Sequence, residues 1–255
     1  RQGRIDAETI ARLPALEIIS CYAAGLDGID LDAATRRGIK VCNTSAVLAE
    51  DVADLAIALI IGVTRYTMAA HDYVREGRWP AGGIFTLGRT LRGMKVGIVG
   101  LGYIGEAVAR RLAAMRVEVA YHGPRPKPVS LAYYPDIVDL AAWADMLVLA
   151  CPLIPETYHL VDGTVLAALG PDGYLVNVGR GAVVDEAALI DALARNALAG
   201  AGLDVFETEP DVPEALRHDD RVILAPHMGS GTRETRQGMG DSMFAALVDH
   251  FSART

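Results

Sequence analysis

The chain is short of what a nucleic-acid binder, a membrane protein or a disulfide-stapled domain needs. It has no basic run: 24 Lys and Arg stand against 32 Asp and Glu, a net charge of −8. That balance argues against a phosphate-backbone partner. The longest apolar stretch, residues 52–64, is too short to span a bilayer and contains Asp54. Only three cysteines occur, Cys21, Cys42 and Cys151, odd in number and in apolar contexts. They predict buried thiols in a reducing, cytoplasmic compartment, with neither disulfides nor a metal site. His71, His122, His159, His218 and His250 show no metal-ligand spacing and read as surface or helix histidines. There is no Gly-x-Ser-x-Gly elbow, no internal repeat and no low-complexity tail. The first residues carry no secretory-signal pattern. The chain opens at Arg1 without a methionine, so it is expected to be part of a longer protein.

What is present starts with a glycine fingerprint in mid-chain. The 255 residues, 51% hydrophobic, suit one large or two ordinary domains with an ample core. Val96-Gly97-Ile98-Val99 reads as a buried strand and leads into Gly100-Leu101-Gly102-Tyr103-Ile104-Gly105. Gly100 permits the sharp turn, Gly102 lets the backbone approach a pyrophosphate, and Gly105 lets the next helix pack against the strand. The dipole and free N–H groups of that helix favour an anion. Val108, Leu112 and Met115 continue at helical spacing, and a second strand follows at residues 117–121. Strand, turn, helix and strand together predict a dinucleotide-binding unit.

The rest of the chain fits around that unit. Residues 16–21 read as a strand, 30–37 as a helix and 38–42 as a strand, with one long helix over 50–75. Residues 77–93 read as an extended arm. From Met94 onward, strands at 95–99, 117–121, 146–150, 174–177, 202–205 and 222–224 alternate with helices. A helix over 231–251 closes the chain. The alternation predicts an α/β fold with a doubly wound parallel sheet.

In such a sheet, ligands bind beyond the carboxyl ends of the strands. Three successive strand ends deliver Arg180, then Asp204 and Glu209, then His227. Reduction of a 2-keto acid needs a carboxylate anchor, and arginine offers a bidentate fork. It needs a proton donor that titrates near neutral pH, which suits His227. A carboxylate beside that histidine, Glu209, favours its charged form and orients it. Glu207 reads as a solvated acid. An acid expected at the end of the second strand to bind a ribose 2′-hydroxyl is missing: Tyr121-His122-Gly123 stands there. Arg125 and Lys127 follow and can supply positive charge to a 2′-phosphate, so NADPH is expected to be preferred, with NADH possible.

These motifs resemble the D-isomer-specific 2-hydroxyacid dehydrogenases over nearly the whole chain. The matching stretches include the fingerprint, Asn177-Val178-Gly179-Arg180-Gly181, Gly202-Leu203-Asp204-Val205-Phe206 with Glu209-Pro210, and Pro226-His227-Met228-Gly229-Ser230. They also include Ala24-Gly25-Leu26-Asp27, Asn43-Thr44 and the run from Glu50 to Ala56. Ala150-Cys151-Pro152-Leu153 and Gly123-Pro124-Arg125-Pro126 look most like glyoxylate/hydroxypyruvate reductases and hydroxyphenylpyruvate reductases.

The resemblance implies Arg180 as substrate anchor, His227 as acid/base and Glu209 as its partner. It implies substrate contacts from Ala24, Gly25 and Ser230 besides Arg180 and His227. It implies a cofactor site of Gly100, Gly102, Tyr103, Ile104, Gly105, Gly123, Pro124, Arg125, Pro152, Val178, Asp204 and Gly229, with Asp204 near the nicotinamide. It further implies a Rossmann domain, 46–228, inserted in a smaller flavodoxin-like substrate domain made of 1–45 and 229–255. Part of the N-terminal portion of that substrate domain is expected to be missing. Pairing as a homodimer is implied too. The leading expectation is a reductase of glyoxylate, hydroxypyruvate or a similar 2-keto acid. A reductase of aryl pyruvates and a nucleotide-sensing, corepressor-like protein stand as alternatives.

Overall fold

Aspartates cap five of the described helices, and unbroken apolar runs form the central strands. The computed structural model describes residues 4–82 and 85–252. Along the chain come α1 (Ala7–Ala11), β1 (Ile18–Ser20), α2 (Leu31–Arg36), β2 (Lys40–Cys42), α3 (Ser45–Arg65), α4 (Thr67–Arg75) and α5 (Trp79–Gly82). Then follow β3 (Lys95–Val99), α6 (Tyr103–Ala114), β4 (Glu118–His122), β5 (Ala132–Tyr134), α7 (Ile137–Trp143), β6 (Met146–Leu149) and α8 (Gly163–Leu169). The last are β7 (Tyr174–Asn177), α9 (Glu186–Ala194), β8 (Gly200–Leu203), α10 (Glu214–Arg217), β9 (Val222–Leu224) and α11 (Arg233–Ser252). Two compact units result, Arg1–Asp51 with Ser230–Thr255, and Val52–Gly229.

The first unit holds β1 and β2 as a parallel pair, Ile18 opposite Lys40. Ile10, Ile19, Ala33, Ala34 and Ile39 form its core. Asp30 caps α2 by accepting the Ala33 N–H at 2.8 Å. Asp51 accepts hydroxyl hydrogen bonds from Thr232 and, at 2.6 Å, from Thr235, which ties the start of α3 to the start of α11.

The second unit is built on seven strands in the order β5-β4-β3-β6-β7-β8-β9, all parallel among the described residues. β6, β7 and β8 are buried along their whole length. That pattern belongs to a parallel sheet covered on both faces. Leu140, Leu147, Leu149, Leu166, Leu175 and Leu189 fill the core between sheet and helices. Asp136, Asp162 and Asp185 each cap a helix, α7, α8 and α9, with a side-chain oxygen. α6 differs: its first turn opens from Gly102, and no side chain caps it.

Four sequence expectations need correcting. The long helix over 50–75 is two helices. Tyr66 breaks it with a left-handed backbone, φ 52°. Thr64 O, which would serve a continuing turn, instead accepts the Arg89 N–H from the arm at 2.8 Å. The arm over 77–93 is not wholly extended, because α5 lies in it; Gly83 and Ile84 fall outside the described residues. α1 and the edge strand β5 have no counterpart in the sequence pattern. Each is five residues or fewer, too brief to show a period. β8 starts at Gly200 and ends at Leu203, so Asp204 is the first residue beyond the strand rather than its third.

α6 rests on β3 through Gly105. A Cβ there would stand 2.2 Å from Gly100 O and 3.2 Å from Ile98 Cγ2. Backbone cannot yield as a side-chain tip can, so Gly105→Ala is expected to destabilise the protein by about 2 kcal/mol and to lower its melting temperature by several degrees. An unchanged thermal melt would contradict this packing.

Candidate active site

The strand order reverses at β3: the chain first adds β4 and β5 on one side, then crosses to β6 on the other. The crevice outside the carboxyl ends at such a reversal is where α/β sheets bind ligands. Gly100 (φ 93°) and Cys151 meet there, and a Cβ on Gly100 would lie 2.7 Å from Cys151 backbone and Cβ atoms. Burial pushes the Cys151 thiol up to about 11, so it stays protonated and unreactive at neutral pH. A Cβ on Gly102 would enter open space. Open space above an uncapped helix N-terminus fits a pyrophosphate, whose oxygens would take the free N–H groups.

Every candidate in this unit follows the carboxyl end of a strand. Tyr103 and Ile104 open α6 after β3, Gly123, Pro124 and Arg125 follow β4, and Pro152 follows β6. Val178 and Arg180 follow β7, Asp204 and Glu209 follow β8, and His227 and Gly229 follow β9. Parallel strands bring all of these to one edge of the sheet. Arg125 is exposed and makes no ion pair or hydrogen bond with the described residues. Lys127 does not supply the second free charge expected of it. It pairs with Glu106 at 2.8 Å and donates to Leu101 O, bracing the glycine turn.

Buried polar groups aim the reactive ones. Asn177, 1% exposed, accepts the Gly179 N–H at 3.0 Å and donates to Arg180 O at 3.0 Å, fixing the loop that carries the arginine. Asp204, 2% exposed, accepts the Met228 N–H at 2.7 Å and the Gly229 N–H at 2.9 Å. Its carbonyl accepts the His227 N–H at 2.8 Å. Asp204 thus grips the histidine's own amide and those of the two residues after it; the histidine itself adopts φ 51°. Burial pushes its carboxyl above the usual range, against the pull of those two amides.

Glu209 Oε2 sits 2.7 Å from His227 Nδ1, and Glu209 Oε1 accepts the Phe206 N–H at 3.0 Å. The Glu209 hydrogen bond raises the His227 pKa above the ordinary value, against partial burial and the Arg180 charge. Burial works to raise Glu209, but the bonds from His227 and Phe206 win and hold it below the usual carboxylate value. Arg180 stands close enough for its charge to be felt by both. The structure therefore brings Arg180, Glu209 and His227 together. Ala24, Gly25 and Ser230 belong to the other unit, where Ala24 O accepts Asn43 Nδ2 at 2.9 Å and the Ser45 hydroxyl at 3.1 Å.

One pair escaped the sequence reading. Glu207 is not simply solvated: its Oε1 lies 2.9 Å from His159 Nε2. Forty-eight positions separate the two, so no local pattern could have joined them. Among the described residues, no group of three or more His, Cys, Asp or Glu could hold a metal. No helix there is long and apolar enough to cross a membrane.

Comparison with known proteins agrees with this architecture. The family model for the D-isomer specific 2-hydroxyacid dehydrogenase NAD binding domain matches residues 57–229. The chain belongs to the D-isomer-specific 2-hydroxyacid dehydrogenase family. It is 49% identical over 250 residues to hydroxyphenylpyruvate reductase of Plectranthus scutellarioides, covering 98% of this chain and 80% of that protein. It is 49% identical over 251 residues to glyoxylate/hydroxypyruvate reductase A HPR2 of Arabidopsis thaliana, with the same coverage. Among solved structures it resembles the NADPH-dependent glyoxylate/hydroxypyruvate reductase SmGhrB of Sinorhizobium meliloti, solved with NADP and malonate. The TM-score is 0.92 and the identity 45%, over 98% of this chain and 79% of that one.

The His227–Glu209 pair makes a definite pH prediction. His227, raised above 6.5, contributes stability that is full below 6.5 and lost as pH rises through its folded value. Glu209, lowered beneath 4.5, contributes stability that is full above 4.5 and lost as pH falls through its folded value. Both contributions are in force between Glu209's lowered value and His227's raised one. Glu209→Gln is expected to bring the His227 titration down toward its ordinary value, read by NMR of the imidazole. An unmoved titration would show that Glu209 does not set it.

Proposed function

We propose that this protein reduces glyoxylate, hydroxypyruvate or a similar small 2-keto acid to the D-2-hydroxy acid, with NADPH preferred. The observation that carries the reading is the 2.7 Å His227–Glu209 pair beside Arg180 at neighbouring strand ends. NADPH, when bound, supplies the hydride. The glycine turn and the α6 N-terminus would hold its pyrophosphate. Arg180 would grip the substrate carboxylate and set the keto carbon's orientation. His227, kept protonated by Glu209, would give its proton to the keto oxygen from the ring nitrogen opposite Nδ1, and take it back in the reverse reaction.

The names of similar proteins support the substrate class. Two glyoxylate/hydroxypyruvate reductases and a hydroxyphenylpyruvate reductase are among them. The plant hydroxyphenylpyruvate reductase keeps an aryl pyruvate as the second reading. The first unit is proposed as the substrate domain, contributing Ala24, Gly25 and Ser230, and the second as the cofactor domain. A cytoplasmic location is proposed because Cys21, Cys42 and Cys151 form no disulfide. A homodimer is proposed from the apolar residues Met68, Val74, Trp79 and Leu87, each more than half exposed. Sedimentation at micromolar concentration is expected to show a dimer; a monomer would contradict it.

Cofactor choice rests on Arg125, exposed with no partner among the described residues. kcat/KM with glyoxylate or hydroxypyruvate is expected to be about tenfold or more higher with NADPH than with NADH. Arg125→Ala is expected to narrow that gap, chiefly through KM for NADPH. Equal or better efficiency with NADH in the unmodified protein would overturn the NADPH reading, and absence of turnover with any 2-keto acid would overturn the activity.

A further inference from the structure

Two glutamates two positions apart, Glu207 and Glu209, each hold a histidine. Glu209 holds His227 at 2.7 Å, and Glu207 holds His159 at 2.9 Å. Both histidines have left-handed backbones, φ 51° and φ 49°. That region is sparsely occupied outside glycine, with histidine among the better tolerated residues, and it persists where surroundings impose it. The second pair plays no part in the proton transfer described above, yet it is wired to both halves of the site.

The wiring can be followed bond by bond. His159 N–H donates to Ala182 O at 2.8 Å, Val161 N–H to Val183 O at 3.0 Å, and Asp185 N–H to Val161 O at 3.0 Å. These bonds stitch residues 159–161 to the backbone that follows Arg180. On its other side that backbone meets the Phe206–Glu207 peptide. A Cβ on Gly181 would lie 1.9 Å from Phe206 C and 2.4 Å from Glu207 N. The same stretch supplies the Phe206 N–H that holds Glu209 Oε1. Glu207 N–H in turn donates to Glu186 Oε2 at 3.3 Å, at the start of α9. Tyr158 stacks on the His159 ring with centroids 4.0 Å apart. The His159–Glu207 contact therefore closes a ring: Arg180 loop, His159 segment, Glu207, Phe206, Glu209. Without it, this ring would still hold through the tight fit at Gly181 and the Glu186 contact, but would lose its one side-chain link from the His159 segment to Glu207 among the described residues.

We infer that His159 and Glu207 are positioning residues that fix the Arg180 loop relative to the Glu209–His227 pair, and so set the alignment of a bound 2-keto acid. An isolated pair as exposed as this one, with about 30% of each side chain open to solvent, contributes little to stability. Its consequence lies in geometry, where a shift of about 1 Å in a positioning element can cost up to about 10²-fold in rate.

The inference rests on the reductase reading, and the test separates the two. His159→Ala, Glu207→Ala and the double variant are compared with the unmodified protein on hydroxypyruvate with NADPH. Each single change is expected to raise KM for the keto acid about tenfold and lower kcat several-fold, with NADPH affinity by fluorescence titration unchanged within about twofold. The double variant is expected to be no worse than the poorer single one, because both remove one link. His159→Gln, which keeps an N–H donor, is expected to recover most of the loss. Arg195→Ala, which opens the exposed Asp191–Arg195 pair on α9, is expected to change nothing. Oxalate, a non-reacting dicarboxylate, provides a readout without turnover, and the single variants are expected to bind it about tenfold more weakly by calorimetry. A fall in melting temperature with KM, kcat and oxalate binding unchanged would overturn the positioning role, as would losses that multiply in the double variant. An unmodified protein that binds oxalate but reduces no keto acid would overturn the reductase reading and leave the oxalate comparison to decide the positioning role.

Discussion

Everything at the candidate site depends on the second unit's strands running the same way. A parallel strand cannot return by a hairpin, so the chain must cross back before the next strand begins, and every loop that follows a strand lands on the same edge. One edge of β3 through β9 thereby collects a glycine turn, an arginine, two acids and a histidine that are far apart in sequence. The fully buried β6, β7 and β8 make that edge rigid. Chemistry that needs reacting groups held within fractions of an ångström calls for such a frame.

The frame alone does not aim side chains; buried polar groups do. Asn177 shapes the Arg180 turn, and Asp204 spends both carboxylate oxygens on the amides of Met228 and Gly229. An unsatisfied carboxylate or amide at 1–2% exposure would be costly, so these contacts are both stabilising and positional. His227 is thus held by its backbone through Asp204 and by its ring through Glu209. What remains for His227 is a raised affinity for a proton and an exposed face from which to deliver it.

Much of this could be read from the sequence, for definite reasons. The strands at Lys95–Val99, Tyr174–Asn177 and Val222–Leu224 end where the apolar runs end. Of the residues placed just past strand ends, Glu209 and His227 meet at 2.7 Å and Arg180 lies near enough for its charge to act on both, because parallel topology converts position along the chain into position along one edge. What stayed hidden depended on contacts between distant segments. Tyr66 breaks a helix whose periodicity runs on through it, since the competing Arg89 N–H comes from the arm. The charge of Lys127 is spent on Glu106, twenty-one positions away. Glu207 reads as a lone surface acid until His159 arrives beside it. Of the substrate contacts implied by family resemblance, Ala24, Gly25 and Ser230 lie in a unit whose own packing says nothing of substrate.

His227 is the group proposed to exchange a proton with the keto oxygen. The most direct test of this role is turnover of hydroxypyruvate with saturating NADPH by the unmodified protein and by His227→Ala, each shown to be folded by its melting temperature. In His227→Ala, kcat is expected to fall by roughly 10² or more while NADPH still binds. Turnover in His227→Ala close to that of the unmodified protein would contradict it.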